Sequence, residues 1–276
     1  MNDPVAPGTA ETTRAPRPIV ALMQPTFLPW CGYFALMDSV DEFVVLDDFQ
    51  FVRQSFQQRN RLFQPGANKV DWVTVPIVHP GSTTRPSLAE VVLQDLPRFR
   101  RKTLATLRQS YARCADAEPV LDMVDREFAS EPRTLGDLNL RLIRCIASAV
   151  GIQTPIRLSS TIGSTGRRSE RVASLLANAG ARTYYAARGA YEYMRADGVF
   201  PIAGIDTYFQ RYHPVPYPQR HSEAFVPYLS ALDLVLQVGR ERALAVIRAG
   251  AEAFEPWEQA TAVTSDATES FEPPEV

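Results

Sequence analysis

The chain is 276 residues long, with 29 Lys plus Arg against 31 Asp plus Glu and a formal net charge of −2. Hydrophobic residues make up 45% and charged residues 22%, the balance of a globular chain with a sizeable core and not of a disordered one. A near-neutral charge excludes the extended basic surface of a nucleic-acid binder, and no apolar run approaches the roughly 20 residues of a membrane span.

Residues 1–17 are polar, carry no apolar stretch of the signal-peptide kind, and are expected to form a disordered arm. Ile19 to Met23 (IVALM) is a continuous apolar run suited to a strand buried on both faces. It stops at Gln24-Pro25, Pro29 and Gly32 frame a loop, and Tyr33 to Ser39 can start a helix. Phe43 to Leu46 (FVVL) is a second strand-like run, ending at Asp47-Asp48, and Val70 to Val78 is a third. Helical spacing follows over 98–111, 118–128 and 135–150, where Leu138, Leu142, Ile143, Ile146 and Val150 share one stripe. The second half alternates again: strands at 156–158 and 183–186, a helix at 169–178, a helical turn at 190–194, an extended segment at 205–212, and helices at 229–238 and 242–253. The pattern predicts one α/β domain over 18–257, a Rossmann-like and mostly parallel sheet with a helical subdomain inserted at about 98–150. An acidic tail, 258–276, is expected to be disordered.

Four groups of residues invite chemistry. Gln24, Trp30 and Tyr33 lie where the first parallel strand ends, the usual ligand crevice of an open α/β sheet. A polar Gln directly after a buried strand needs a partner, and Trp30 and Tyr33 offer stacking faces with polar tips. Asp47 and Asp48 follow the second strand. Adjacent carboxylates on a strand end are expected to point to opposite sides, one binding substrate and the other capping the next segment. Gln50 closes the Asp47-Asp48 group, and Arg53, Arg59 and Asn60 belong to a polar stretch over 53–61 whose arginines suit a carboxylate or phosphate in a pocket shared with Asp47 and Asp48, the alternative being a solvated polar loop. Gln219 and Asp233 would close the pocket from the C-terminal half, with Ser230 to Asp233 as a helix-start motif. Ser159-Ser160-Thr161 with Gly163 and Gly166 resembles a phosphate cradle only weakly.

Cys31, Cys114 and Cys145 are widely spaced without a CxxC pair, and His79, His213 and His221 are the only histidines. Neither a zinc site nor a disulfide framework is expected, Cys31 reads as packing, and the thiols suit a reducing cytoplasm. No GxSxG, GxxxxGK[ST] or GxGxxG motif occurs. The reading is therefore of a protein with no metal and no cofactor, no nucleic-acid or membrane partner, and a small-molecule substrate; oligomeric state is not legible.

Together, QPTFLPWCGYF (24–34), FVVLDDFQF (43–51), SFQQRNR (55–61), DLN (137–139), GARTYY (180–185) and YPQ through SALD (217–233) resemble the WbqC-like family of bacterial proteins. The resemblance covers about 19–239. Phe56 and Gln58 stand where the family tends to have Trp and Asn, and Tyr185-Ala186-Ala187 where it tends to have Leu-Ser-Gly. It implies a role in surface-polysaccharide or natural-product biosynthesis, as a transferase attaching a small acyl or aminoacyl group to a sugar or amine; from the residues themselves, Asp48 is read as the general base, with Asp47 beside it as the second catalytic candidate. Alternatives are a non-catalytic ligand-binding or assembly protein of a biosynthetic locus, and a nucleotidyl-binding enzyme similar to the HUP-type nucleotidylyltransferases. In that last comparison Trp30 and Gly32 replace the histidine-bearing element, so fold similarity would not carry the adenylyl chemistry.

Overall fold

The computed structural model describes residues 15–65, 69–79, 85–114, 116–220 and 222–260. Most of the expected arm (1–14) and tail (261–276), together with His221, lies outside the described residues. Residues 15–17 and 258–260 are described: the Pro16 carbonyl accepts from Thr183, and Trp257–Gln259 form a short 3-10 turn.

Six strands form the main sheet: β1 (Ile19–Met23), β2 (Glu42–Val45), β5 (Ile156–Leu158), β6 (Thr183–Ala186), β7 (Asp206–Phe209) and β8 (Glu255–Pro256). A separate antiparallel hairpin is built from β3 (Arg59–Phe63) and β4 (Val70–Thr74). The order across the main sheet is β5-β2-β1-β6-β7-β8, parallel throughout except for the edge strand β8. The chain builds outward from β1 through β2 to β5, then returns to the other side of β1 and builds outward again through β6 and β7. That reversal is the topological switch point of a doubly wound sheet.

Alternation along β1 explains its apolar run. Ile19 and Ala21 belong to one core and Val20 and Leu22 to the other. The first core is closed by α1 (Cys31–Asp38), by α2 (Leu96–Tyr111), α3 (Ala117–Ala129) and α4 (Leu135–Val150), and by α8 (Ala231–Val238) and α9 (Arg240–Ala249). The second is closed by α6 (Arg168–Asn178) and α7 (Tyr191–Asp197); a single turn, α5 (Ser159–Ile162), directly follows β5. The expected α/β fold, mostly parallel sheet and central helical insertion are all present. Local signals place the helix ends. Asp95 accepts from Arg98 N–H at the start of α2, and Thr134 from Asp137 N–H at the start of α4, which stops at Gly151 with φ +87°.

Three boundaries differ from expectation. The strand expected over 70–78 pairs only to Thr74, because Pro76 has no N–H to continue a ladder. The last helix begins and ends earlier than 242–253, at Arg240–Ala249. It stops at Gly250, where a Cβ would lie 2.6 Å from the His213 carbonyl oxygen. Most informative, the polar stretch read as a loop contains β3. Arg59 and Arg61 alternate with Asn60 and Leu62, and the inward set is buried.

Candidate functional site

The segment after β1 is held in place by side-chain amides. Asn139 in α4 donates to the Pro25 carbonyl at 2.8 Å and to the Gln57 carbonyl at 2.7 Å. Asn60 in β3 donates to the Leu28 carbonyl at 2.8 Å and to Phe27's at 3.3 Å, and Phe27 N–H donates to the Phe56 carbonyl at 2.8 Å. These bonds hold Leu28 in the left-handed region at φ +45°, a conformation its side chain disfavours. Asn60 is buried with its amide used on backbone, so it fixes the loop and does not face substrate, contrary to the expectation from sequence.

Hydrogen-bond chemistry also fixes which end of Gln24 is presented. Val52 N–H can only donate, so Gln57 must offer it Oε1, as it does at 2.7 Å. Gln57 Nε2 then donates to Gln24 Oε1. Gln24, half-buried at the end of β1, is left with its NH₂ unbonded among the described residues. Gln57 is thus a positioning residue that sequence reasoning did not single out.

Asp47 and Asp48 follow β2, beside the end of β1: Leu46 N–H donates to the Met23 carbonyl at 2.9 Å. They do not point to opposite sides. β2 has ended at Val45, strand alternation no longer applies, and both carboxylates meet Ser159 at the end of β5. Asp47 accepts from Ser159 Oγ at 3.1 Å, Ser160 N–H at 3.1 Å and Ser160 Oγ at 2.7 Å. The Ser160 amide imagined as a phosphate donor is therefore taken by the chain's own carboxylate. Asp48 accepts from Ser159 Oγ on one oxygen and from Arg171 of α6 on the other. Arg171 is anchored by Ser164 at 3.0 Å and lies over the Phe49 ring at 4.3 Å. The Asp48–Arg171 pair keeps 30% and 25% side-chain exposure, so solvent or a ligand reaches it. Arg171 was not singled out in the sequence, where 169–178 was read only as a helix.

The other expected site residues fall elsewhere. Tyr33 is a core residue of α1, buried with its ring packed on Phe34 and Phe43. Trp30 is half-buried between Tyr212 and Tyr228, with ring centroids 5.2 and 5.4 Å away. Gly32 is required beneath it, since a Cβ there would lie 2.3 Å from the indole. Gln50 is exposed and pairs with Ser87 in an isolated bridge, and exposed Arg53 donates to His79 Nε2 at 3.0 Å.

Gln219 and Asp233 belong to a buried network. Asp233, fully buried in α8, accepts from Tyr111 OH at 2.7 Å and Tyr217 OH at 2.6 Å, with the Gln219 and Gln237 amides at 3.4 and 3.5 Å. Burial raises its carboxyl above the ordinary value, and the four donors oppose that rise. Ser230 caps α8 through Leu232 N–H at 3.2 Å, half of the expected motif, while Asp233 is used on the tyrosines instead. Gln219 borders a shallow hollow of about 330 Å³ with Tyr217, Arg220 and Phe225. Burial and the negative Asp233 push the Cys31 thiol up to about 12, which agrees with a packing role.

Among the described residues, no group of three or more His, Cys, Asp or Glu side chains is placed to hold a metal ion. None of their helices is long and apolar enough to cross a membrane. The arrangement at the sheet edge offers an amide donor, two carboxylates and a guanidinium around the ends of β1, β2 and β5.

Comparison with known proteins bears on the same segments. The model of the WbqC-like protein family matches residues 24–244, from Gln24 through the Asp47-Asp48 turn, the α4 staple and the Asp233 network. The uncharacterized protein Rv1507c of Mycobacterium tuberculosis is 29% identical over 223 residues, covering 80% of this chain and 94% of the relative. No solved structure matches. With the family pattern running over every residue group just described, the chain belongs to the WbqC-like protein family.

Proposed function

We propose that this protein is a small-molecule transferase that attaches an acyl or aminoacyl group to an amine or hydroxyl of a sugar-like acceptor, in cytoplasmic steps of polysaccharide or natural-product biosynthesis. The observation that supports the reading is the grouping of Asp47, Asp48 and Arg171 at the carboxyl edge of a doubly wound sheet, with Gln24 at the end of the adjoining β1, which borders the switch point between β1 and β6 where ligands of such sheets bind. In this reading the acceptor nitrogen attacks the acyl carbon, a new N–C bond forms, and the leaving group departs with its electron pair. The attacking nitrogen becomes more acidic as the bond forms, so a carboxylate suffices to take its proton, and Asp48 is the base. Arg171 and Ser159 orient that carboxylate, Asp47 holds the Ser159-Ser160 turn beside it, and the Gln24 NH₂ donates to the acyl oxygen.

Because both carboxylates are already hydrogen-bonded by the chain itself, a ligand-binding protein without turnover is the competing reading. Mass-spectrometric screening of amino-sugar and nucleotide-sugar acceptors against acyl-thioester and aminoacyl donors separates the two. Product that depends on intact Asp48 is expected; binding with no product from any pair would support the competing reading.

A further inference from the structure

The β3–β4 hairpin carries an uncompensated positive charge. Arg61 pairs directly with Trp72 across the hairpin and Arg59 with Thr74, so these four side chains project from one face while Asn60 and Leu62 point into the core. Both arginines are half-buried. Neither has a carboxylate within ion-pair distance among the described residues, although ion pairs elsewhere involve Arg100, Arg108, Arg141, Arg157, Arg171 and Arg240. Arg59 Nε is shielded from solvent and has no hydrogen-bond partner among the described residues. The Arg59 guanidinium lies 4.2 Å over the Trp72 ring and that of Arg61 6.0 Å from it. Trp72 is itself 38% exposed, one of few large apolar side chains left open.

Two half-buried like charges on one strand face repel each other and lose hydration without return, a cost that a fold keeps where something else supplies the counter-charge. For Arg61, desolvation lowers its proton affinity, in line with a missing anion. Arg59 rests on the indole at 4.2 Å, with Arg61 at the outer reach of the same ring at 6.0 Å, and a guanidinium in that position keeps N–H groups free for paired bonds with oxygen. The inward face of the hairpin holds the 27–28 backbone through Asn60, and the arginines occupy the opposite, outward face.

We infer that Arg59 and Arg61, stacked on Trp72, form a binding site for the diphosphate group of a small molecule. Two adjacent guanidinium forks offer more donors than one carboxylate can use, and a diphosphate supplies oxygens and charge for both. The inference goes beyond the transferase reading, and it is tested by binding alone, so it stands or falls apart from turnover.

The experiment is a titration of the full chain with inorganic pyrophosphate, followed by calorimetry at low salt. Saturable binding is expected, weakened roughly tenfold or more by Arg59→Gln or by Arg61→Gln and lost in the double variant. Arg98→Gln, an exposed arginine on α2, should leave it unchanged. Thermal midpoints of the hairpin variants should stay level or rise, since an uncompensated charge is being removed; arginines with a structural role would lower them. No saturable binding by the native chain, or equal binding by the double variant, overturns the proposal. So does binding that appears only after Asp266, Glu269, Glu272 and Glu275 are changed to their amides, because the chain's own acidic tail would then be the occupant.

Discussion

Asp48 is held by a hydroxyl on one oxygen and a guanidinium on the other, and these two partners set what its substitution does. Asp48→Asn keeps the Ser159 contact but leaves Arg171 without its counter-charge. A fully buried pair broken in this way costs roughly 3–5 kcal/mol. This pair is a quarter to a third exposed, so water recovers part of that, and a loss of about 1–3 kcal/mol is expected in urea denaturation. Arg171→Gln on top of Asp48→Asn should cost less than it does alone, the signature of a coupled pair. Strict additivity would mean that the contact contributes nothing.

Asp233 behaves in the opposite sense. Its carboxyl is raised above 3.8 by burial, so the folded chain binds the proton more tightly than the unfolded chain. That stabilisation is fully present below 3.8 and is lost as pH rises through the raised value. The stability difference between the native chain and Asp233→Asn should therefore fall as pH climbs above 3.8, by at most about 1.4 kcal/mol per pH unit. Chemical denaturation over a pH series measures it, and a pH-independent difference would show that the buried carboxyl keeps an ordinary affinity.

At the scale of elements, the loop after β1 is built by amides donated from α4 and β3, two elements remote from it in sequence. Asn139→Ala removes one donor group from two carbonyls, those of Pro25 and Gln57. A cost of about 2–4 kcal/mol is expected in urea melts, together with faster amide hydrogen exchange at 26–28; unchanged exchange there would mean that Asn60 holds the loop alone.

The elements that the sequence made legible are those with apolar periodicity: IVALM and FVVL as strands buried on both faces, and the α4 stripe. β3 was not legible because its inward positions include Asn60, whose polarity hides the alternation of Arg59, Asn60, Arg61 and Leu62. The same disguise made Gln57 and Gln58 look solvated, whereas both are buried and hydrogen-bonded to backbone groups. Asp47 and Asp48 were recognisable as a pair at a strand end. Their partners Ser159 and Arg171 were not, since only the pairing of β5 with β2 brings residues more than 100 positions away onto them.

For the whole molecule, strand order is the decisive feature. Reversal of the chain between β1 and β6 opens a crevice at the end of β1, the pairing of β2 with β5 groups Asp47, Asp48 and Ser159 two strands along the same edge, and α8 with the Asp233 network adds to the core under the sheet. Asp48, Ser159 and Arg171 come from three parts of the chain and meet only through that order. The most direct measurement is the single-turnover rate of acyl or aminoacyl transfer for the native chain and for Asp48→Asn, at a temperature where both are folded. With Asp48 as a positioned base, the variant should be slower by about 10²-fold or more, with acceptor binding retained. A folded Asp48→Asn variant that transfers the group at the native rate would contradict a catalytic site at this edge of the sheet.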